Sequence, residues 1–165
     1  MVKVILVFLW IYASVSVGDP ISKRARTPKE LELKILEKLF TDLTSSREVR
    51  VMVLGEKTPY YISLFAGGSE VLRPVGSCEE ADLLFLAGGY EGDIPRRCRG
   101  KVVFSSRKKH IFLWEDVVGA FFWKKGRPNL LLIKERLEEK SIKLPREYEK
   151  FIEPLEGAVV PRRVT

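Results

Sequence analysis

Chemistry at neutral pH starts with histidine and cysteine, and this chain has one of the first and two of the second. A single histidine, His110, excludes any mechanism that pairs two imidazoles and any multi-histidine metal site. It stands in Arg107-Lys108-Lys109-His110, among like charges, and reads as a solvated surface residue. Cys78 and Cys98 lack C-x-x-C spacing, and adding His110 still leaves a structural zinc one ligand short, so no metal site is expected. Their other chemistry is oxidation to a disulfide. Cys78 lies four residues before Asp82-Leu83-Leu84-Phe85-Leu86, and Cys98 lies four before Val102-Val103-Phe104. If those apolar runs are parallel neighbouring strands, both thiols emerge at one end of the sheet at matched distances. Pairing is the expectation, against the alternative of two separate buried thiols.

Nucleophiles and phosphate loops are less well represented. Gly88-Gly89 and Ser105-Ser106 follow apolar runs, where α/β folds place ligand loops, so Gly88, Gly89 and Ser105 are candidate ligand-loop residues. The patterns G-x-G-x-x-G, Gly-Lys-Ser/Thr and G-x-S-x-G are all absent. Acidic pairs occur at Glu79-Glu80, Glu91/Asp93 and Glu115-Asp116, whereas general acid–base work needs carboxylates in different environments across a cleft. No catalytic residues and no cofactor are expected.

Basic clusters stand at Arg96-Arg97-Arg99-Lys101, Arg107-Lys108-Lys109 and Lys124-Lys125-Arg127. The last follows Phe121-Phe122-Trp123, and consecutive aromatics cannot all turn to one face of a sheet. One exposed ring beside the basic turn would make a partner-binding edge, with Phe122, Trp123, Lys124, Lys125 and Arg127 as its candidates. Aromatic–basic interleaving also serves nucleic acid. In an exported protein the same charge meets anionic lipid, cell wall or an acidic protein face instead, so no nucleic-acid partner is expected.

The elements that must position these groups follow from composition and periodicity. In 165 residues, 45% are hydrophobic and 31% charged, with a net charge of +7, which suits one domain with a real core and excludes a disordered chain. One asparagine and no glutamine, beside abundant Lys, Arg and Glu, fit a thermophilic source. Residues 4–17 form the one long uncharged run, after a positive start and before Gly18. That is the pattern of a signal peptide over 1–18, cleaved near Gly18, which places the mature protein in the periplasm or outside the cell. Lys23, Arg24 and Arg26 resist translocation, so an uncut membrane anchor is one alternative and a buried first strand the other. Residues 19–26 read as a basic tether.

Thr27-Pro28-Lys29-Glu30 is a capping box with proline at the first helical position. Leu31, Ile35, Leu36, Leu39, Phe40 and Leu43 then give a helix with one apolar face through Thr44. Strands are predicted over 49–54, 70–75, 83–87 and 101–105. Pro74 puts the second of these near an edge. Residues 117–123 and 130–133 make a hairpin around Gly126, and helices are predicted over 59–66, 134–140 and 145–152. Residues 154–165 read as a flexible basic tail. Strands alternating with helices predict an α/β fold: one small layered domain over 27–153, with a mixed, partly parallel sheet and an antiparallel edge hairpin.

Three stretches carry a family likeness in their order and spacing. They are Val51-Met52-Val53-Leu54-Gly55, Cys78 ahead of Asp82-Leu83-Leu84-Phe85-Leu86, and Gly119-Ala120-Phe121-Phe122 followed by the turn at Gly126 and residues 130–137. Residues 28–152 thereby resemble the YfiR family, periplasmic regulators of membrane-bound diguanylate cyclases. The chain departs from the family at Gly119-Ala120, where members carry a double glycine, and at Asn129-Leu130-Leu131-Leu132, where they read Phe-x-Ile-Asn. It also has one cysteine pair where well-known members have two. The resemblance implies a non-enzymatic inhibitor that binds a membrane signalling protein such as a diguanylate cyclase. A periplasmic small-ligand binder is the alternative and an enzyme the third reading; homodimerisation stays open.

Overall fold

The computed structural model describes residues 27–159. Residues 1–18, read above as a signal peptide, residues 19–26, read as a tether, and residues 160–165 lie outside the described residues.

Helix α1 spans Pro28–Thr44, with the Thr27 hydroxyl accepting the Glu30 N–H at 3.2 Å and proline in its first turn. It ends at Ser45, whose left-handed φ of 53° terminates the helix while its N–H returns to the Thr41 carbonyl. Leu33, Leu36, Leu39, Phe40 and Leu43 face the core. Leu31 and Ile35, expected on the same face, sit at its margin instead: Leu31 is exposed and Ile35 half-buried.

Strand β1 (Val49–Leu54) leads into α2 (Thr58–Gly68) and then β2 (Leu72–Pro74). β3 (Leu83–Leu86), β4 (Val102–Ser105), α3 (His110–Leu113) and the hairpin β5 (Val117–Lys124) and β6 (Arg127–Ile133) follow. α4 (Lys134–Glu139), β7 (Ile152–Glu153) and α5 (Leu155–Val159) complete the chain described. All seven strands join one sheet in the order β2-β1-β3-β4-β5-β6-β7, parallel throughout except for the antiparallel β5–β6 pair. The fold is therefore α/β with one mixed sheet, in a single small domain.

Lys125 (φ 50°) and Gly126 (φ 72°) form a two-residue turn with both central residues left-handed, the geometry that matches the twist of a hairpin. β5 pairs with β4 only as far as Ala120, so the hairpin projects beyond its parallel neighbour as a two-stranded ribbon.

The two faces of the sheet are covered differently. On one face α1 and α2 pack against β1, β3 and β4, where Phe40, Phe65, Phe85 and Phe104 are fully buried. Phe40 meets Phe85 and Phe104 edge-to-face, with centroids 5.4 and 5.6 Å apart. The other face carries no long helix among the described residues. It is covered by the segments around Cys78, Ala81, Ile94 and Cys98, together with Ile111, Trp114 and Ala158.

Two expectations need correction, and one element had none. Residues 146–151 form a 3₁₀ helix, and Ile152–Glu153 then pair with Leu132 and Ile133, so a short strand lies outside the hairpin. Two residues carry no readable period, which hid β7. The stretch given to a mobile tail begins with α5, in which Ala158 is buried against the second face. α3 went unpredicted because four residues make a single turn.

Candidate functional site

The carboxyl ends of β1, β3 and β4 lie side by side, and strand order reverses between β1 and β3, where open α/β sheets bind ligands. The loops after these strands bring Gly88, Gly89 and Ser105 together. Their backbones approach so closely that a Cβ at Gly55 (φ +122°) would lie 2.3 Å from the Ala87 carbonyl oxygen. The Gly88 N–H donates to Ser106 Oγ at 2.7 Å, and the Gly89 N–H donates to Glu56 Oε1 at 2.9 Å. The Arg107 guanidinium donates to the same carboxylate oxygen at 2.8 Å. The Gly88 and Gly89 donors at the junction are thus matched by side chains of the chain itself, and Glu56 is paired with Arg107 beside them.

His110 overturns its surface reading. It is fully buried, because the single turn of α3 points His110 and Ile111 inward while Lys108 and Lys109 stay exposed. Its Nδ1 lies 2.6 Å from Ser105 Oγ, which also accepts the Arg107 N–H at 3.0 Å. Trp114 packs edge-on against the ring at 5.0 Å. Burial, reinforced by the positive charges of Lys109 and Arg107, pushes the imidazole pKa down to about 4, so it is neutral at pH 7. The Tyr90 backbone favours the protonated ring slightly, yet Nε2 completes no hydrogen bond. A Ser–His contact of this length resembles an activated nucleophile, but both side chains are sealed from solvent. Here the pair fastens the β4–α3 connection to the sheet.

Cys78 and Cys98 are paired, with Cα atoms 5.1 Å apart. β3 and β4 are parallel neighbours with Leu83 opposite Val102, which puts both cysteines at the amino-terminal ends of their strands. Cys98 is fully buried and Cys78 nearly so, and Met52 Sδ lies 3.6 Å from Cys78 Sγ. The bond ties together the irregular layer over the second face. It fits a protein of an oxidising compartment. No group of three His, Cys, Asp or Glu among the described residues could hold a metal ion, and no described helix is long and apolar enough to cross a membrane.

The hairpin candidates separate by face. Phe121 is buried under the helical face, Phe122 is half-buried on the other, and Trp123 returns to the Phe121 side, its ring 6.0 Å from Phe121 and 37% exposed. Lys124, Lys125 and Arg127 are exposed at the tip. Next to Trp123, the helical face of the ribbon is left uncovered by α1, which leaves a groove of about 470 Å³. Its walls are Leu31, Ile35 and Leu39 of α1, Phe121 and Leu130 of the hairpin, and Phe151. Lys34, Lys150 and the Lys38–Glu147 pair (2.6 Å) stand around it. Hydrogen bonding to Glu147 raises the Lys38 pKa, so that cation is fixed at the rim.

Sequence reasoning missed this groove. Its one readable signal was the width of the α1 stripe, since Leu31 and Ile35 extend it beyond what the sheet can cover. No protein-family model matches the chain, and no curated protein matches it either.

Proposed function

We propose that this chain is an exported, non-enzymatic regulatory protein that acts by protein–protein contact on a membrane signalling protein, as its resemblance to the YfiR family implies. The groove between α1 and the hairpin is the observation that carries this reading. It is apolar at its floor and sits beside an exposed tryptophan. Its surroundings are predominantly cationic: Lys34, Lys150, Lys124, Lys125 and Arg127, in a chain of net charge +7. The complementary occupant is a segment that presents apolar side chains flanked by acidic residues. Trp123 and Phe151 are the anchors expected to dominate such a contact.

The test is affinity capture from native membranes with the oxidised and the reduced protein. Recovery of a membrane-spanning signalling protein, lost in the Leu31→Glu and Trp123→Ala variants, is expected. No such protein under either redox condition, or equal capture by the groove variants, sinks the proposal.

One observation favours a second reading, a small-ligand binder: the strand order reverses at β1/β3 and three loops converge there. A ligand in that place has to displace the Glu56 carboxylate, so an anion is the natural probe. A thermal-shift screen of anionic metabolites without a stabilising hit rejects this reading.

A further inference from the structure

The two most exposed large apolar side chains among the described residues are neighbours: Leu113 is 60% exposed and Phe112 45%. They do not belong to a frayed end. α3 is pinned from below by buried His110 and Ile111, and the chain after it is tied back by the Trp114 N–H to the His110 carbonyl and the Val117 N–H to the Trp114 carbonyl. One turn of helix therefore holds two apolar side chains rigidly in water, a costly arrangement that isolated surface residues do not require.

The same turn is preceded by Arg107-Lys108-Lys109. Arg107 is committed to Glu56. Lys108 and Lys109 are exposed and form no ion pair among the described residues. Of the acidic groups that follow, Asp116 lies 3.8 Å from Lys140, and Glu115 lines an open cavity of about 700 Å³ with Lys108, Phe112 and the buried Arg136. Over residues 108–113 the exposed groups are thus two lysines and two apolar side chains, with one exposed carboxylate, Glu115, just beyond them.

We infer that this knob docks on an anionic phospholipid surface, with Phe112 and Leu113 entering the headgroup boundary and Lys108 and Lys109 neutralising lipid charge. Interfacial attachment of peripheral proteins combines these two ingredients, inserted apolar area and adjacent cations. The site lies on α3 and the turn before it and shares no residue with the groove, so it stands or falls apart from the proposed partner contact. It would set the orientation of the domain relative to the membrane.

The experiment uses the full chain, so that residues 1–26 are common to every arm, with vesicles of phosphatidylcholine alone or with one-third phosphatidylglycerol. Hydrogen exchange reads which segment the lipid protects, and co-sedimentation reads affinity. Slowed exchange over 107–114 with anionic vesicles, and its absence with neutral ones, is expected. Lys108→Glu/Lys109→Glu should weaken co-sedimentation at least tenfold, about fivefold per lysine lost, and Phe112→Ser/Leu113→Ser should abolish the protection. Both double variants alter exposed groups and should melt within about 2 °C of the parent; the lysine pair keeps the test intact if the apolar pair misfolds. Attachment to anionic vesicles without protection at 107–114, equal protection there by neutral vesicles, or no attachment overturns the inference.

Discussion

Reducing the Cys78–Cys98 bond is the sharpest perturbation the structure offers, because its size follows from chain length alone. The cysteines are 20 residues apart. Closing a loop of that length removes about 11 cal/mol/K of denatured-state entropy, or about 3.3 kcal/mol at 25 °C. For a domain of about 130 residues this corresponds to a fall in Tm of about 12 °C. The loss should not be uniform. The bond spans the layer over the second face, so amides at 76–81 and 87–101 should lose exchange protection before those of α1 and β1. The assay is thermal unfolding with and without a phosphine reductant, repeated on Cys78→Ala/Cys98→Ala, whose melting should not respond to the reductant. A reduced protein that melts within about 3 °C of the oxidised one refutes the reasoning, since the denatured chain would then gain little freedom when the bond is cut.

Other outcomes follow from single residues. Folded His110 titrates near pH 4 against about 6.5 in an unfolded chain, so between those values the unfolded state binds more protons. Stability should therefore fall as pH drops from about 6.5 to 4, by about 2–3 kcal/mol relative to His110→Phe in urea titrations; parallel pH profiles for the two proteins would contradict this. Gly55→Ala should cost more than about 2 kcal/mol in a denaturant midpoint, since the new Cβ meets the Ala87 carbonyl and φ is unfavourable. Gly67→Ala, in α2 with open space around it, should instead raise stability by about 0.5–1 kcal/mol. The Tyr61 hydroxyl donates to the buried Glu32 carboxylate, and burial together with that carboxylate holds its own pKa far above the usual tyrosine value. Tyr61→Phe should cost about 1–3 kcal/mol by urea unfolding, and a neutral result would show that Glu32 finds water instead.

Much of the fold was legible because its signals are local. Thr27-Pro28-Lys29-Glu30 caps α1, valines mark β1, Pro74 marks an edge, and Gly126 marks the turn; each speaks for itself within a few residues. The cysteine pairing was readable by one further step, from matched spacing ahead of two strands to their adjacency in the sheet. His110 was misread because its neighbours in sequence are charged, while its neighbours in space are Ser105 and Trp114. A helical turn of four residues reverses the side a residue faces without leaving a period to detect. The groove was illegible for another reason: its walls come from residues 31–39, 121–130 and 147–151, and nothing in any one segment records what the others leave uncovered.

The layer over the second face has a consequence for engineering. Glu91, Gly92 and Asp93 are exposed within the segment that leaves β3 and returns to Cys98. Both ends of that segment are anchored, one by the strand and the other by the cross-link. Doubling its length would add only about 0.6 kcal/mol of closure entropy. This is accordingly the permissive position for splicing in a reporter or an affinity tag: it lies inside a covalent ring, away from the groove, and touches no strand register.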